Sequence, residues 1–243
     1  TWHPSAILYV VDVAQSLHFK QDFAISKALG YAGDSSLEHI FFGRMSFADR
    51  AMSTRKGNVI LVDDLLNEAV ERAGKLAAEK SGGIAREELA KIIETVGIGS
   101  IKYGILSQDR IKNLVFDWDK MITLEGNSAP YLLYSYARAH SIIEKTGLNS
   151  FAGLPKLNDP LEIDLLRMMT TFPEVLESAL QENKPHIIAN FMYELCKNFN
   201  RFYGECKVMG TPEERTRLGL VRAFMHELKT GLTILGIPVL EKM

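Results

Sequence analysis

Ala6-Ile7-Leu8-Tyr9-Val10-Val11-Asp12 is a continuous apolar run that ends on a carboxylate. Unbroken apolarity, rather than alternation, suits a parallel strand covered on both faces. Residues 16–29 then read as a helix that stops at Gly30. Leu37-Glu38-His39-Ile40-Phe41-Phe42 follows as a second strand of the same sheet. Together these make a βαβ unit, whose helix carries the chain back so that the strands run parallel. Such sheets bind their ligands beyond the carboxyl ends of the strands. Asp12 and Gln15 leave the first strand at that end.

Just beyond the unit lies Met52-Ser53-Thr54-Arg55-Lys56-Gly57-Asn58, a cationic loop followed by a short strand-like segment at 59–62. Its ammonium, guanidinium and hydroxyl donors are suited to phosphate oxygens. Such a turn standing alone is usually just solvated; its place after a βαβ unit is what raises it to a candidate site.

From there the pattern is almost entirely helical. Asp63 or Asp64 caps a helix to about residue 80, and Ser81-Gly82-Gly83 breaks it. Residues 86–95 form a further helix. Residues 96–106 form another, loosened by Gly97, Gly99 and Gly104. Glu125-Gly126-Asn127-Ser128-Ala129-Pro130 marks a turn and a domain boundary. Beyond it the chain reads as a bundle, with helices over 131–146 and 160–171. Pro173 and Pro185 each occupy a first-turn position. Ile188, Phe191, Met192, Leu195, Phe199 and Phe202 recur at three- and four-residue steps, the stripe of an amphipathic core helix. Thr211-Pro212-Glu213-Glu214 combines an N-cap, a first-turn proline and a capping-box glutamate. Gly236 and Pro238 end the last helix.

The chain has 243 residues and a formal net charge of −2, so any RNA contact must come from local patches, not bulk charge. One such patch runs from Lys197 to Arg222, with six Lys/Arg against three Glu. Cys196 and Cys206 have no paired Cys/His spacing around them, which argues against a metal site and for a reduced, cytoplasmic chain. No run of about 18 apolar residues exists to span a membrane. The start, Thr1-Trp2-His3-Pro4, runs straight into a strand and reads as a cut through a larger protein.

The order of the cationic loop resembles the KMSKS signature of class I aminoacyl-tRNA synthetases, and the Met-Ser-Thr-Arg-Lys-Gly-Asn version resembles that of arginyl-tRNA synthetase. Ala51 and Thr54 stand where that signature has its two lysines, leaving Arg55 and Lys56 as the cations. Val11-Asp12-Val13-Ala14-Gln15-Ser16-Leu17-His18-Phe19 is similar to the family's strand-to-helix turn, with Lys20-Gln21 continuing the match. The resemblance implies that Gln15 meets the bound arginine and that His18 lies on the adenosine side. Read without it, the same segment is plain helix initiation, with Ser16 as N-cap. Gly126-Asn127-Ser128-Ala129-Pro130-Tyr131-Leu132-Leu133-Tyr134 resembles the opening of the family's anticodon-binding bundle, with Ser128 in place of the usual threonine. Tyr131 and Tyr134 share a helix face and Tyr136 points elsewhere. Helical tyrosines are usually amphipathic core residues, but by resemblance Tyr131, Tyr134, Tyr203 and Met243 border the anticodon. Lys207 stands where some members carry an aromatic residue and could meet a phosphate.

The resemblance covers nearly the whole chain. It implies an α/β remnant plus an all-α part: the end of a Rossmann-type catalytic domain (1–62), a helical connector (63–125) and an all-α anticodon-binding bundle (126–243). Met52, Ser53, Arg55 and Lys56 would be the catalytic loop. ATP with Mg2+, L-arginine and tRNA(Arg) would be the substrates and partners of a cytoplasmic monomer. No organic cofactor, protein-held metal, DNA or membrane is implied. No His-x-Gly-His occurs in the sequence, so only half of the family's ATP site is present. Two rivals stay open. One is a non-catalytic helical tRNA- or protein-binding module. The other is a small nucleotide-binding α/β enzyme of another kind, for which no phosphate-binding Gly-rich loop or dinucleotide fingerprint speaks.

Overall fold

The computed structural model describes residues 3–47, 61–78, 85–146 and 157–243. They fall into two compact units, one from residues 1–59 with 108–117, the other from 60–107 with 118–243.

The first unit holds β1 (Ala6–Asp12), a 3₁₀ turn (Val13–Gln15), α1 (Ser16–Ala28) and β2 (Ser36–Phe42). β1 and β2 pair in parallel with Tyr9 opposite His39, as the βαβ reading requires. Tyr9 carries α1, its ring 5.2 Å from both Phe19 and Phe23, and Phe19 reaches His39 at 4.7 Å. The expected cover on both faces is not met within this unit, because its single helix covers one face. Leu8 and Val10 are 47% and 66% exposed.

A second parallel pair, β3 (Met45–Phe47) with β4 (Leu114–Phe116), was not expected. β4 lies in a stretch assigned to the helical connector, and it folds with the first unit. Gly43 makes the junction possible. Its N–H donates to the Arg110 carbonyl at 2.7 Å, and a Cβ there would lie 2.2 Å from the Lys112 carbonyl oxygen. The expected strand at 59–62 falls largely outside the described residues; Val62 already begins a helix.

The second unit begins with α2 (Val62–Ala78) and α3 (Arg86–Leu106). α3 is one helix, not the expected two. Its glycines are contact points rather than breaks: a Cβ on Gly97 would come 2.8 Å from the Val70 Cα, so two helix backbones touch there. The short α4 (Trp118–Met121) precedes the bundle of α5 (Ala129–Thr146), α6 (Pro160–Thr170), α7 (Phe172–Glu182), α8 (Pro185–Glu205) and α9 (Glu214–Ile234).

The α8 stripe is the core, as its spacing predicts. Met192, Leu195, Phe199 and Phe202 are fully buried, and Phe199 lies flat on Phe224 of α9 with centroids 3.8 Å apart. α6 opens with a capping box of Asp159 and Glu162. The box expected at Thr211 does not form. α9 begins three residues later, and the Glu214 carboxylate reaches back four residues to the Gly210 N–H at 2.6 Å. Gly236, at φ 70°, closes α9 with the bond from Ile237 N–H to the Leu232 carbonyl. Both cysteines are buried and free.

Candidate functional site

At the carboxyl end of β1, Asp12 turns the chain by accepting the Ala14 N–H at 2.7 Å. Gln15 takes the N-cap position of α1, exposed and with no side-chain capping bond. Ser16, the alternative cap, is already helical, and its hydroxyl donates to the Val13 carbonyl. His18 lies one turn in, on the surface, with Nε2 3.0 Å from Asp22. The sequence reading passed over Arg44, just after β2, whose Nε stands 4.0 Å from the Asp12 carboxylate. The parallel register thus puts Gln15 and the Arg44 guanidinium together at the carboxyl ends of β1 and β2, where α/β sheets take ligands. Met52, Ser53, Arg55 and Lys56 lie outside the described residues.

The helical unit assembles a more complete surface. Tyr134 of α5 and Tyr203 of α8 are each 40% exposed. The guanidinium of Arg138, one turn after Tyr134, sits 4.8 Å from the Tyr134 centroid and 5.5 Å from that of Tyr203. Tyr203 lies nearly parallel to Phe199 at 6.3 Å, and Phe199 lies on Phe224. A pile of flat groups therefore runs from the core to solvent: Phe224, Phe199, Tyr203, Arg138, Tyr134. Flat rings and a guanidinium plane, held from below and open above, are what an unstacked base packs against.

Tyr131 behaves differently from Tyr134. It is half-buried, its ring meets Tyr193 edge-on at 5.6 Å, and its hydroxyl accepts from Asn200 Nδ2 at 2.9 Å. Tyr136, which points away from Tyr131 and Tyr134, is buried. Met243 packs on the core and shares with Tyr134 an apolar cleft whose floor includes Ala73, Leu76, Ile92 and Val96.

Lys207 is exposed just past α8, and its backbone is pinned, its carbonyl accepting from Arg217 Nη1 at 2.7 Å. Arg217 in turn pairs with the fully enclosed Glu162. The basic stretch expected at 197–222 is partly spent on such pairs, since Lys197 engages Glu194 and Arg201 engages Glu205.

The structure thus joins Tyr134 to Tyr203 through Arg138, and Tyr134 to Met243 through the cleft. Tyr131 joins the same cluster through its hydroxyl and, by way of Ser135, through its carbonyl. Arg138 and Asn200 were missed. The signal for Arg138 was its four-residue spacing from Tyr134; for Asn200, 62 residues from Arg138, there was none.

Two family models match. That of the class I (R) tRNA synthetase catalytic domain covers residues 1–118, and that of the DALR anticodon binding domain covers 132–243. Among curated relatives, the arginine–tRNA ligase of Fusobacterium nucleatum is 40% identical over the whole of this chain. That of Chloroflexus aggregans is 42% identical over 99% of it. The chain spans 43% of the length of each. Among solved structures, the Thermus thermophilus arginyl-tRNA synthetase superposes with a TM-score of 0.85 at 30% identity, over 97% of this chain and 41% of that one. The Plasmodium falciparum arginyl-tRNA synthetase gives 0.80 at 26% identity, over 98% and 41%.

Proposed function

The chain belongs to the arginyl-tRNA synthetase family, and we propose that it is the part of an arginine–tRNA ligase that binds the anticodon and supplies one side of the ATP site. The whole protein would activate L-arginine with ATP and pass it to tRNA(Arg). The observation that carries the RNA half is the Tyr134–Arg138–Tyr203 pile, in the bundle that the anticodon-binding model matches. Tyr134 at the end of the pile offers a face and Tyr203 its exposed ring surface to bases, Met243 and its cleft give an apolar seat, and Lys207 stands ready for a phosphate. Tyr131 supports this surface through its hydroxyl. We divide the chain as catalytic end at 1–62, connector at 63–125, whose β4 returns to the first unit, and anticodon-binding bundle at 126–243.

For the catalytic half, Gln15 faces arginine, His18 lies on the adenosine side, and Met52, Ser53, Arg55 and Lys56 hold the triphosphate. Charge gathers on phosphorus in the transition state, so cations placed there act on the rate rather than on binding alone. Magnesium enters as the counter-ion of ATP. The bare face of β1 at Leu8 and Val10 is met by further catalytic-domain chain, in keeping with relatives more than twice as long. A monomer working in the cytoplasm completes the proposal.

The test is affinity of the chain for an anticodon stem-loop of an arginine tRNA and for one with the anticodon replaced. Tighter binding of the first supports the proposal. Equal, weak binding of both removes the anticodon role.

A further inference from the structure

We propose that Asn200 is a positioning residue of the RNA face: it holds the Arg138 guanidinium between Tyr134 and Tyr203 so that its remaining donors face RNA. The inference rests on the anticodon-binding reading of this bundle and adds a residue that acts without touching the nucleic acid.

Asn200 lies on α8 and its neighbours on α5. Its Oδ1 accepts from Arg138 Nη1 at 2.7 Å, and its Nδ2 donates to the Tyr131 hydroxyl and to Ser135 Oγ, both at 2.9 Å. The amide orientation is dictated by chemistry. A guanidinium has donors only, so a flipped amide would set donor against donor. Ser135 spends its own proton on the Tyr131 carbonyl, leaving its oxygen to accept. Asn200 therefore has one acceptor for a cation and two donors for two hydroxyl oxygens, and all are used. No alanine, leucine or aspartate meets the three demands together.

Cation–π attraction leaves a guanidinium free to slide over a ring, because it depends chiefly on distance to the ring face. The bond to Asn200 removes that freedom. It fixes one edge of the part-exposed Arg138 toward α8 and leaves other N–H groups of the fork for a phosphate or a base edge. Preorganisation of this kind lowers the ordering cost of binding.

The experiment measures affinity of the chain for the anticodon stem-loop of an arginine tRNA across a salt series. The variants are Arg138→Ala, Asn200→Ala, their double, Asn200→Asp and Tyr131→Phe. Asn200→Ala is expected to weaken binding about tenfold, the size of one charge-assisted hydrogen bond. The double variant should bind no worse than Arg138→Ala alone, since both act through one guanidinium. Asn200→Asp keeps an acceptor for Arg138 but neutralises it, so the log–log salt slope should fall by about 0.7, one phosphate contact on single-stranded RNA. Comparing that slope with the one in an Arg138→Ala background decides the matter if Asn200→Ala does not fold: Asn200→Asp should lower the slope by about 0.7 only where Arg138 is present. Tyr131→Phe removes one of the two hydroxyl oxygens that hold the Asn200 amide and leaves Ser135 Oγ, so it should weaken binding by less than Asn200→Ala. Factors for Arg138→Ala and Asn200→Ala that simply multiply in the double, a wild-type slope in Asn200→Asp, or a Tyr131→Phe that mimics Asn200→Ala, would each overturn the inference. Wild-type binding by Arg138→Ala would instead overturn the RNA-face reading beneath it.

Discussion

The Glu162 carboxylate, with no exposed surface, lies 2.7 Å from Nε of Arg217, which is 13% exposed. The pair ties the start of α6 to the start of α9. Its geometry is nearly saturated: the second Glu162 oxygen accepts the N–H groups of Asn158 and Asp159, and Arg217 also reaches the Lys207 carbonyl. Burial pushes the Glu162 carboxyl up, but the Arg217 hydrogen bond, the two N–H groups and the charge of Arg217 outweigh it. The carboxyl therefore sits below the usual carboxylate range. A depressed folded value means that this stabilisation is present above the unfolded value, roughly 4.3, and is lost as pH falls through the folded one. Denaturant unfolding from pH 7 to 3 should show a loss that Glu162→Gln flattens. Arg217→Ala should cost about 3 kcal/mol at pH 7, because it strands a buried charge.

Glu227 on α9 carries the opposite sign. Burial pushes its carboxyl up to about 7, and among the described residues Oε2 has no hydrogen-bond partner. A raised folded value binds a proton more tightly in the folded state. The stabilisation is complete below the ordinary glutamate value and fades as pH rises through about 7. Glu227→Gln should stabilise the protein at pH 8 by roughly 1–3 kcal/mol and do little at pH 4. Denaturant unfolding at pH 8 and pH 4 measures it, and a variant no more stable at pH 8 than at pH 4, relative to wild type, contradicts it.

Two glycines give a contrast in packing. A Cβ at Gly97 would press into the α2 backbone at Val70, where no side chain can swing aside. Gly97→Ala should cost about 1–3 kcal/mol by overpacking. Gly204, near the end of α8, has open space at the same position, so Gly204→Ala should gain up to about 1 kcal/mol of helix propensity. Thermal unfolding of the two variants should move in opposite directions.

These glycines also show where sequence reading stops. The βαβ unit was legible because an unbroken apolar run, a helix-length interval and a second run admit few other arrangements. α8 was legible because its stripe keeps one period over four turns. Gly97 misled because helix propensity penalises glycine, while close contact between two helix backbones demands it. β4 escaped notice because three residues carry no period, and its partner β3 lies 69 positions away. Thr211 and Glu214 met the capping pattern, yet the carboxylate found Gly210 instead. At the candidate site the tyrosines came from a resemblance, whereas Arg138 and Asn200 depend on how α5 meets α8.

The last prediction separates stacking from charge on the RNA face. Tyr203 is 40% exposed with Phe199 beneath it, and Tyr134, equally exposed, stands across Arg138 from it. Lys207 has a pinned backbone and an exposed side chain. Base stacking is worth roughly 1–3 kcal/mol, so Tyr203→Ala or Tyr134→Ala should weaken binding of the anticodon stem-loop about tenfold or more, with the salt slope unchanged. Lys207→Ala should act the other way round, lowering the slope by about 0.7 while losing less affinity at high salt. Tyr131→Phe, which keeps the ring on Tyr193 and removes only the hydroxyl bonded to Asn200, should lose less affinity than either alanine variant and keep the slope. Affinities at four salt concentrations, for the arginine anticodon and a replaced one, resolve slope from intercept. If Tyr203→Ala and Tyr134→Ala fold and bind both RNAs as wild type does, the pile is core packing that happens to reach the surface, and the bases are read elsewhere.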